Sequence, residues 1–75
     1  MNTHQLDARG LKCPMPVIKL QQSLRELDSG THVELTVTDA GAEKDVQSWC
    51  RINKHRFINC AQIDSSTWLI TIQKA

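Results

Sequence analysis

The segment Cys13-Pro14-Met15-Pro16 contains the residues with the clearest capacity for chemistry. Proline is tolerated in the first turn of a helix, where its missing N–H would have no partner within the helix. Pro14 also favours an extended backbone at Cys13, which suits an N-cap residue. The segment therefore predicts an outward-facing thiol at the start of a helix, where the positive end of the helix dipole favours the reactive thiolate.

Basic residues near Cys13 in the sequence support the same chemistry. Arg9, Lys12 and Lys19 are expected to add positive potential around the thiol. The two prolines remove amide donors that would stabilise an anion, so the dipole effect should be moderate and the thiol only partly ionised. The structural alternative is that Cys13 merely begins a helix that the prolines stiffen. The residues alone leave both readings open.

A short strand and an amphipathic helix are expected to position Cys13. The strand is predicted over His4–Arg9, and Gly10 gives the backbone freedom for a tight turn after it. The helix is predicted from the cysteine-proline segment to about Asp28, with Gly30 as its C-terminal stop. Its apolar side chains form one helical stripe: Val17, Leu20, Leu24 and Leu27.

The remaining residues predict one helix and three strands. His32–Asp39 alternates apolar and polar side chains, which indicates a strand covered on one face. A second helix is predicted from Ala42 to Ile52 or Asn53. Strands over Arg56–Ile63 and Thr67–Gln73 are joined by a short connection and predict a hairpin. The face of the second helix that should pack inward comprises Ala42, Val46, Trp49 and Cys50.

The element order β-α-β-α-β-β predicts an α+β fold, a two-layer α/β sandwich. Two helices should cover one face of a mixed four-stranded sheet, because a sheet covered on both faces would lack the alternation seen in the second strand. Strands separated by a helix are expected to pair in parallel, and the final hairpin adds an antiparallel strand. Residues 1–75 should form a single domain.

Composition and charge exclude several classes of function. The net charge is +1, so bulk electrostatics gives no argument for binding nucleic acid or an acidic membrane. No apolar run approaches a membrane span, and no signal peptide is visible. The odd number of cysteines, 3, fits a reducing cytoplasm better than a disulfide framework.

The stretch from Leu6 to Pro16 resembles the signature of the TusA/SirA (YedF/YeeD-like) sulfur-carrier family, and the resemblance extends over nearly the whole chain. The weaker matches include Asp39, Asp45, Cys50 and His55. The family's two-layer fold agrees with the element order inferred above.

The resemblance implies a cytoplasmic carrier of sulfane sulfur that holds it as a persulfide on Cys13, with no other cofactor. Arg9, Gly10, Lys12, Pro14 and Pro16 would shape that site. A cysteine desulfurase or another persulfide donor would supply the sulfur, and an acceptor protein would receive it, in one branch for 2-thiouridine of tRNA. No membrane partner and no direct nucleic-acid contact are expected.

The chain departs from the family pattern at two positions. Ala40 stands where proline is common, and Lys54 stands where glycine is common before the histidine. Neither change touches Cys13, but both alter the surface that a partner would meet. They therefore leave two alternatives for the client of the carrier: the tRNA-thiolation branch or another sulfur-trafficking pathway.

Other candidate residues have simpler explanations. Cys50 is expected to pack inside, and Cys60 to pack in the core or on a face of the sheet. The alternative for Cys50 is a resolving thiol that forms a disulfide with Cys13 in a redox switch. The three histidines form no ligand pattern with the cysteines, so no metal site is predicted. The sequence also contains a short basic cluster: Arg51, Lys54, His55 and Arg56. Such a cluster is usually a solvated turn. The alternative is a surface that docks RNA or an acidic protein, in which case the protein would be a non-catalytic binding module.

Overall fold

The computed structural model describes residues 3–75, which form two helices and four strands. The elements are β1 (Thr3–Ala8), α1 (Met15–Leu24), β2 (His32–Val37), α2 (Ala42–Asn53), β3 (Arg56–Asp64) and β4 (Thr67–Gln73). The predicted order β-α-β-α-β-β and the mixed four-stranded sheet are confirmed. No helix in this part of the chain has the length and apolar character needed to cross a membrane.

The core lies between the two helices and one face of the sheet. Along β2 the residues alternate between buried and half-buried, as the sequence pattern predicted. A sheet with one covered face produces this alternation, so the two-layer arrangement is confirmed. The fully buried apolar side chains come from both helices and three strands: Ala8, Leu20, Leu24, Val33, Leu35, Val37, Ala42, Val46, Cys50, Ile70 and Ile72.

The strand order is β1-β2-β4-β3, and this corrects one predicted pairing. β1 and β2 pair in parallel as expected, but β2 pairs with β4 in an antiparallel manner, so β2 and β3 are not neighbours. β4 takes the inner position because Ile70 and Ile72 are fully buried there. β3 is largely exposed and has two register shifts, features that are common in edge strands.

Helix α1 ends at Leu24 and not near Asp28 as predicted. The Lys74 ammonium, at the far end of the chain, donates to the carbonyl of Leu24 at 2.6 Å and also to that of Leu27. The chain tightens into turns after Leu24, and Leu27 still packs against the core. Gly30, the predicted stop, lies in the turn before β2 with a φ of 87°.

Helix α2 ends where the sequence predicted, and Lys54 follows it in the left-handed conformation with a φ of 63°. The N–H of His55 donates to the Cys50 carbonyl at 2.9 Å, which satisfies one of the last free carbonyls of the helix. Glycine adopts this conformation without a steric penalty. The backbone conformation at Lys54 is therefore one that glycine would adopt more readily than lysine.

We expect Lys54→Gly to stabilise the protein. The left-handed conformation costs a residue with a Cβ roughly 1–2 kcal/mol, which the substitution by glycine removes. Glycine has a larger conformational entropy in the unfolded state, and this offsets roughly 0.5–1 kcal/mol of the stabilisation. Urea unfolding should show a net increase of about 0.5 kcal/mol in the free energy of unfolding. The matched control, Lys44→Gly within α2, should lower it by about 1 kcal/mol. If both substitutions lowered the free energy of unfolding, the left-handed conformation of Lys54 would be contradicted.

We expect Lys74→Met to destabilise the protein by about 1–3 kcal/mol, because the carbonyls of Leu24 and Leu27 lose a charged donor in a partly buried setting. Lys44→Met, which removes an exposed lysine from α2, should change the free energy of unfolding by less than about 0.5 kcal/mol. Equal effects of the two substitutions would show that the Lys74 contacts contribute nothing specific.

Candidate functional site

Cys13 is exposed in the loop between β1 and α1, at the edge where the parallel strands β1 and β2 both end. The N-cap of α1 is Pro14 and not Cys13, which corrects the prediction. The peptide bond between the two residues is cis. Cys13 does not cap α1 because its polar groups bind elsewhere. Its N–H binds Asp39 in the loop after β2, and its thiol binds Asp45 in α2. The thiol nonetheless lies beside the helix start and faces outward, as predicted.

Two carboxylates contact Cys13. Its N–H donates to Asp39 Oδ2 at 2.7 Å, and its thiol donates to Asp45 Oδ2. Asp39 follows β2, and its other oxygen accepts the Gly41 N–H at 3.0 Å, so both of its carboxylate oxygens have backbone partners. Asp45 lies in the first turn of α2. The Cys13 sulfur is therefore held between two elements, with negative charge on that side.

These carboxylates raise the pKa of Cys13 above its ordinary value of 9.0. The hydrogen bond to Asp45 contributes most, followed by partial desolvation and then by the charges of Asp45 and Asp39. The thiol is consequently the dominant form at neutral pH. The expectation of a partly ionised thiol is wrong for the free protein, because the nearby carboxylates outweigh a helix dipole that the prolines weaken.

The predicted basic neighbours are mostly engaged elsewhere. Arg9 makes a bidentate ion pair with Asp7, with its Nε 2.9 Å from Oδ1 and a terminal nitrogen 3.1 Å from Oδ2. This pair lowers the pKa of Asp7 to about 2. The Lys19 ammonium donates to the Asp7 carbonyl. Arg9 and Lys19 thus hold the end of β1, and the prediction that they bring positive potential to Cys13 is wrong.

Lys12 is exposed beside Cys13, and its charge acts on Asp39. The pKa of Asp39 is lowered first by the hydrogen bond from the Cys13 N–H, then by that from Gly41, and least by Lys12. Asp39 therefore remains ionised at neutral pH and keeps its bond to Cys13.

Gly10, Pro14 and Pro16 form the loop around the thiol. Gly10 has a φ of 81°, in the left-handed region that favours glycine, and its N–H donates to Thr38 Oγ1 at 2.8 Å. The predicted turn is confirmed. Pro16 is buried in the core while Pro14 is exposed, so the second proline anchors the start of α1 and the first lies on the surface.

An open groove of about 480 Å³ lies next to Cys13, between the loops that follow β1 and β2. On the helix side of the thiol, Met15 and Ile18 are exposed apolar residues, with 46% and 36% of their surface accessible. Lys12 and Asp39 give the groove one charge of each sign. Its full lining is Gly10, Leu11, Lys12, Thr38, Asp39 and Ala40.

The other two cysteines pack in or against the core, as predicted. Cys50 is 1% exposed, and burial raises the pKa of its thiol to about 11. Cys60 is half-buried against the core. Such a buried Cys50 gives no support to a disulfide with Cys13, because a resolving thiol must be reachable.

The basic cluster lies at the end of the sheet opposite Cys13, since Arg56 is opposite Gln73, which also pairs with the first residue of β2. Arg51, Lys54 and Arg56 are exposed, while the His55 ring lies 4.9 Å from that of Trp49 and accepts the Ala75 N–H. Within residues 3–75 no group of three or more His, Cys, Asp or Glu side chains is placed to hold a metal.

The sequence reasoning missed the roles of Asp39 and Asp45. In the sequence analysis both residues are weak matches to the family pattern, and Asp39 is also the end of a predicted strand, but neither is placed in contact with Cys13. A usable signal was present, because the carboxyl ends of adjacent parallel strands lie at one sheet edge. Residues that follow β2 must therefore lie near the loop that follows β1.

Comparison with known proteins agrees with this geometry. The family model described as "Sulfurtransferase TusA" matches residues 4–74. The chain is 31% identical over 74 residues to "Putative sulfur carrier protein NMA0882" of Neisseria meningitidis, covering 99% of this chain and 100% of that protein. It is 42% identical over 50 residues to "Putative sulfur carrier protein YrkI" of Bacillus subtilis, covering 67% of each. The chain belongs to the TusA family.

Proposed function

We propose that this protein carries sulfane sulfur as a persulfide on Cys13, between a donor protein and an acceptor protein. The observation that carries the proposal is the exposed Cys13 thiol at the sheet edge, beside an open groove and held by its backbone bond to Asp39. The family and the names of its relatives support the same role.

The transfer is an exchange between thiols and a persulfide. The Cys13 sulfur attacks the terminal sulfur of a donor R–S–SH, a new S–S bond forms on Cys13, and the donor S–S bond breaks. The proton that Cys13 loses is balanced by the proton that the departing donor sulfur gains. The products are R–SH and Cys13–S–SH, with no net oxidation. The reverse exchange with an acceptor cysteine returns Cys13 to the thiol.

Thiol exchange requires access and positioning more than a set of buried catalytic groups. The structure supplies both: Cys13 is exposed, and the loop around it is held through Asp39, Gly10 and the buried Pro16. Met15 and Ile18, in the first turn of the helix that follows Cys13, are exposed and offer an apolar surface for a docking partner. The groove gives room for the partner segment that bears the reacting cysteine. No cofactor beyond the carried sulfur is needed.

We propose a cysteine desulfurase as the donor class, a cytoplasmic location, and a cysteine of a second protein as the acceptor. Thiolation of tRNA is one end point that such a relay can serve. Ala40 lines the groove where the family commonly has proline, so this departure lies on the surface that a partner would contact. Lys54 lies at the opposite end of α2 from Asp45 and affects the site less directly.

Mass spectrometry tests the proposal directly. After incubation with a cysteine desulfurase and free cysteine, the wild-type protein should gain the mass of one sulfur atom, which a reducing agent removes. Cys13→Ser should gain none, because the attacking sulfur is absent. The matched control is Cys60→Ser, which removes a half-buried thiol elsewhere and should load like the wild type. Failure to load from any persulfide donor, or equal loading of Cys13→Ser, would overturn the proposal.

A further inference from the structure

We propose that Asp45 keeps the Cys13 thiol protonated in the free protein, and so favours donors that bring a cationic side chain to this carboxylate. The inference deepens the sulfur-carrier function proposed above and rests on it. Asp45 is then the residue that controls when Cys13 becomes a nucleophile.

The geometry singles out Asp45 among the charged groups. The Cys13 thiol donates a hydrogen bond to Asp45 Oδ2, whereas both oxygens of Asp39 accept backbone N–H groups. Asp45 is half-buried in the first turn of α2, a rigid element that fixes its distance from the thiol. Asp39 therefore positions the Cys13 backbone, and Asp45 meets the reacting atom.

Among residues 3–75, no cationic side chain forms an ion pair with Asp45. Lys12 acts on Asp39, while Arg9 and Lys19 are both bound to Asp7. The carboxylates of Asp45 and Asp39 disfavour a negative charge on the sulfur, in agreement with the raised pKa of Cys13.

A cationic partner would reverse this balance. A lysine or arginine that pairs with Asp45 would neutralise the carboxylate and compete with the S–H···O bond, so the Cys13 proton could leave to water. Exposed thiols with low pKa are the ones that small oxidants attack most readily. A thiol that ionises mainly beside its donor reduces that loss and loads more slowly from small persulfides in solution.

The rate of Cys13 alkylation by iodoacetamide, measured against pH and located by peptide mass, tests the inference without any sulfur donor. Asp45→Asn should lower the pH midpoint of the reaction. For each unit of decrease, the thiolate fraction at neutral pH rises about tenfold and its nucleophilicity falls about threefold, so the rate at pH 7 should rise about threefold. An unchanged or higher midpoint would overturn the inference.

Glu43→Gln is the matched control, because it removes one negative charge from the same turn of α2 without a contact to Cys13. It should leave the pH midpoint of Cys13 alkylation unchanged. A shift equal to that of Asp45→Asn would show that only the overall charge of α2 matters, and this would contradict the inference. Asp45→Ser provides a second test in case Asp45→Asn does not fold, as judged by circular dichroism, and should lower the midpoint too.

Sulfur loading separates this inference from the proposed function. With glutathione persulfide at pH 7, Asp45→Asn should gain sulfur on Cys13 several-fold faster than the wild type. The ratio of loading by a cysteine desulfurase to loading by glutathione persulfide should fall in the variant. A lowered midpoint with no loading in any variant would overturn the sulfur-carrier function and leave the control by Asp45 intact. Normal loading with an unchanged midpoint would overturn the control by Asp45 alone.

Discussion

The hydrogen bond from the Cys13 N–H to Asp39 Oδ2 joins the two loops that form the site. One loop follows β1 and the other follows β2, and the parallel pairing of these strands places both at the same sheet edge. Asp39 also accepts the Gly41 N–H just before α2, so one carboxylate fixes the reactive loop and the start of the second helix together. The position of Asp45 relative to the sulfur depends on this arrangement.

The site shows how local and tertiary electrostatics can oppose each other. A helix start near Cys13 favours the thiolate, but two prolines in the first turn reduce the number of amide donors there. The second helix brings a carboxylate into direct contact with the sulfur, and this contact acts in the opposite direction. A direct hydrogen bond outweighs a weakened dipole because the dipole effect is spread over the helix end. The cysteine is accessible and yet mainly protonated.

The ends of the helices reflect contacts that are distant in sequence. Lys74, next to the last residue, reaches the carbonyls after α1, and its main chain pairs with Gly30 and Thr31 before β2. The chain end therefore closes the connection between α1 and β2. At α2 a lysine occupies a left-handed position usually suited to glycine, and the helix still ends there because its last carbonyls find backbone donors.

The sequence by itself determined the element order, the inward faces of β2 and α2, the burial of Cys50 and the exposed position of Cys13. These features follow from hydrophobic periodicity and from the turn chemistry of glycine and proline, which act within a few residues. Tertiary structure alone decided that β4 lies between β2 and β3, that α1 stops at Leu24, and that Asp45 reaches the Cys13 sulfur. Each of these depends on groups far apart in the chain. The predicted parallel pairing of β1 and β2 places residues after β2 near Cys13, but local patterns do not identify which carboxylate contacts the sulfur or which ammonium binds the end of α1. The contact with Asp45 raises the pKa of the Cys13 thiol. The prediction from the sequence was in the opposite direction, because only the helix start and the nearby basic residues were visible there.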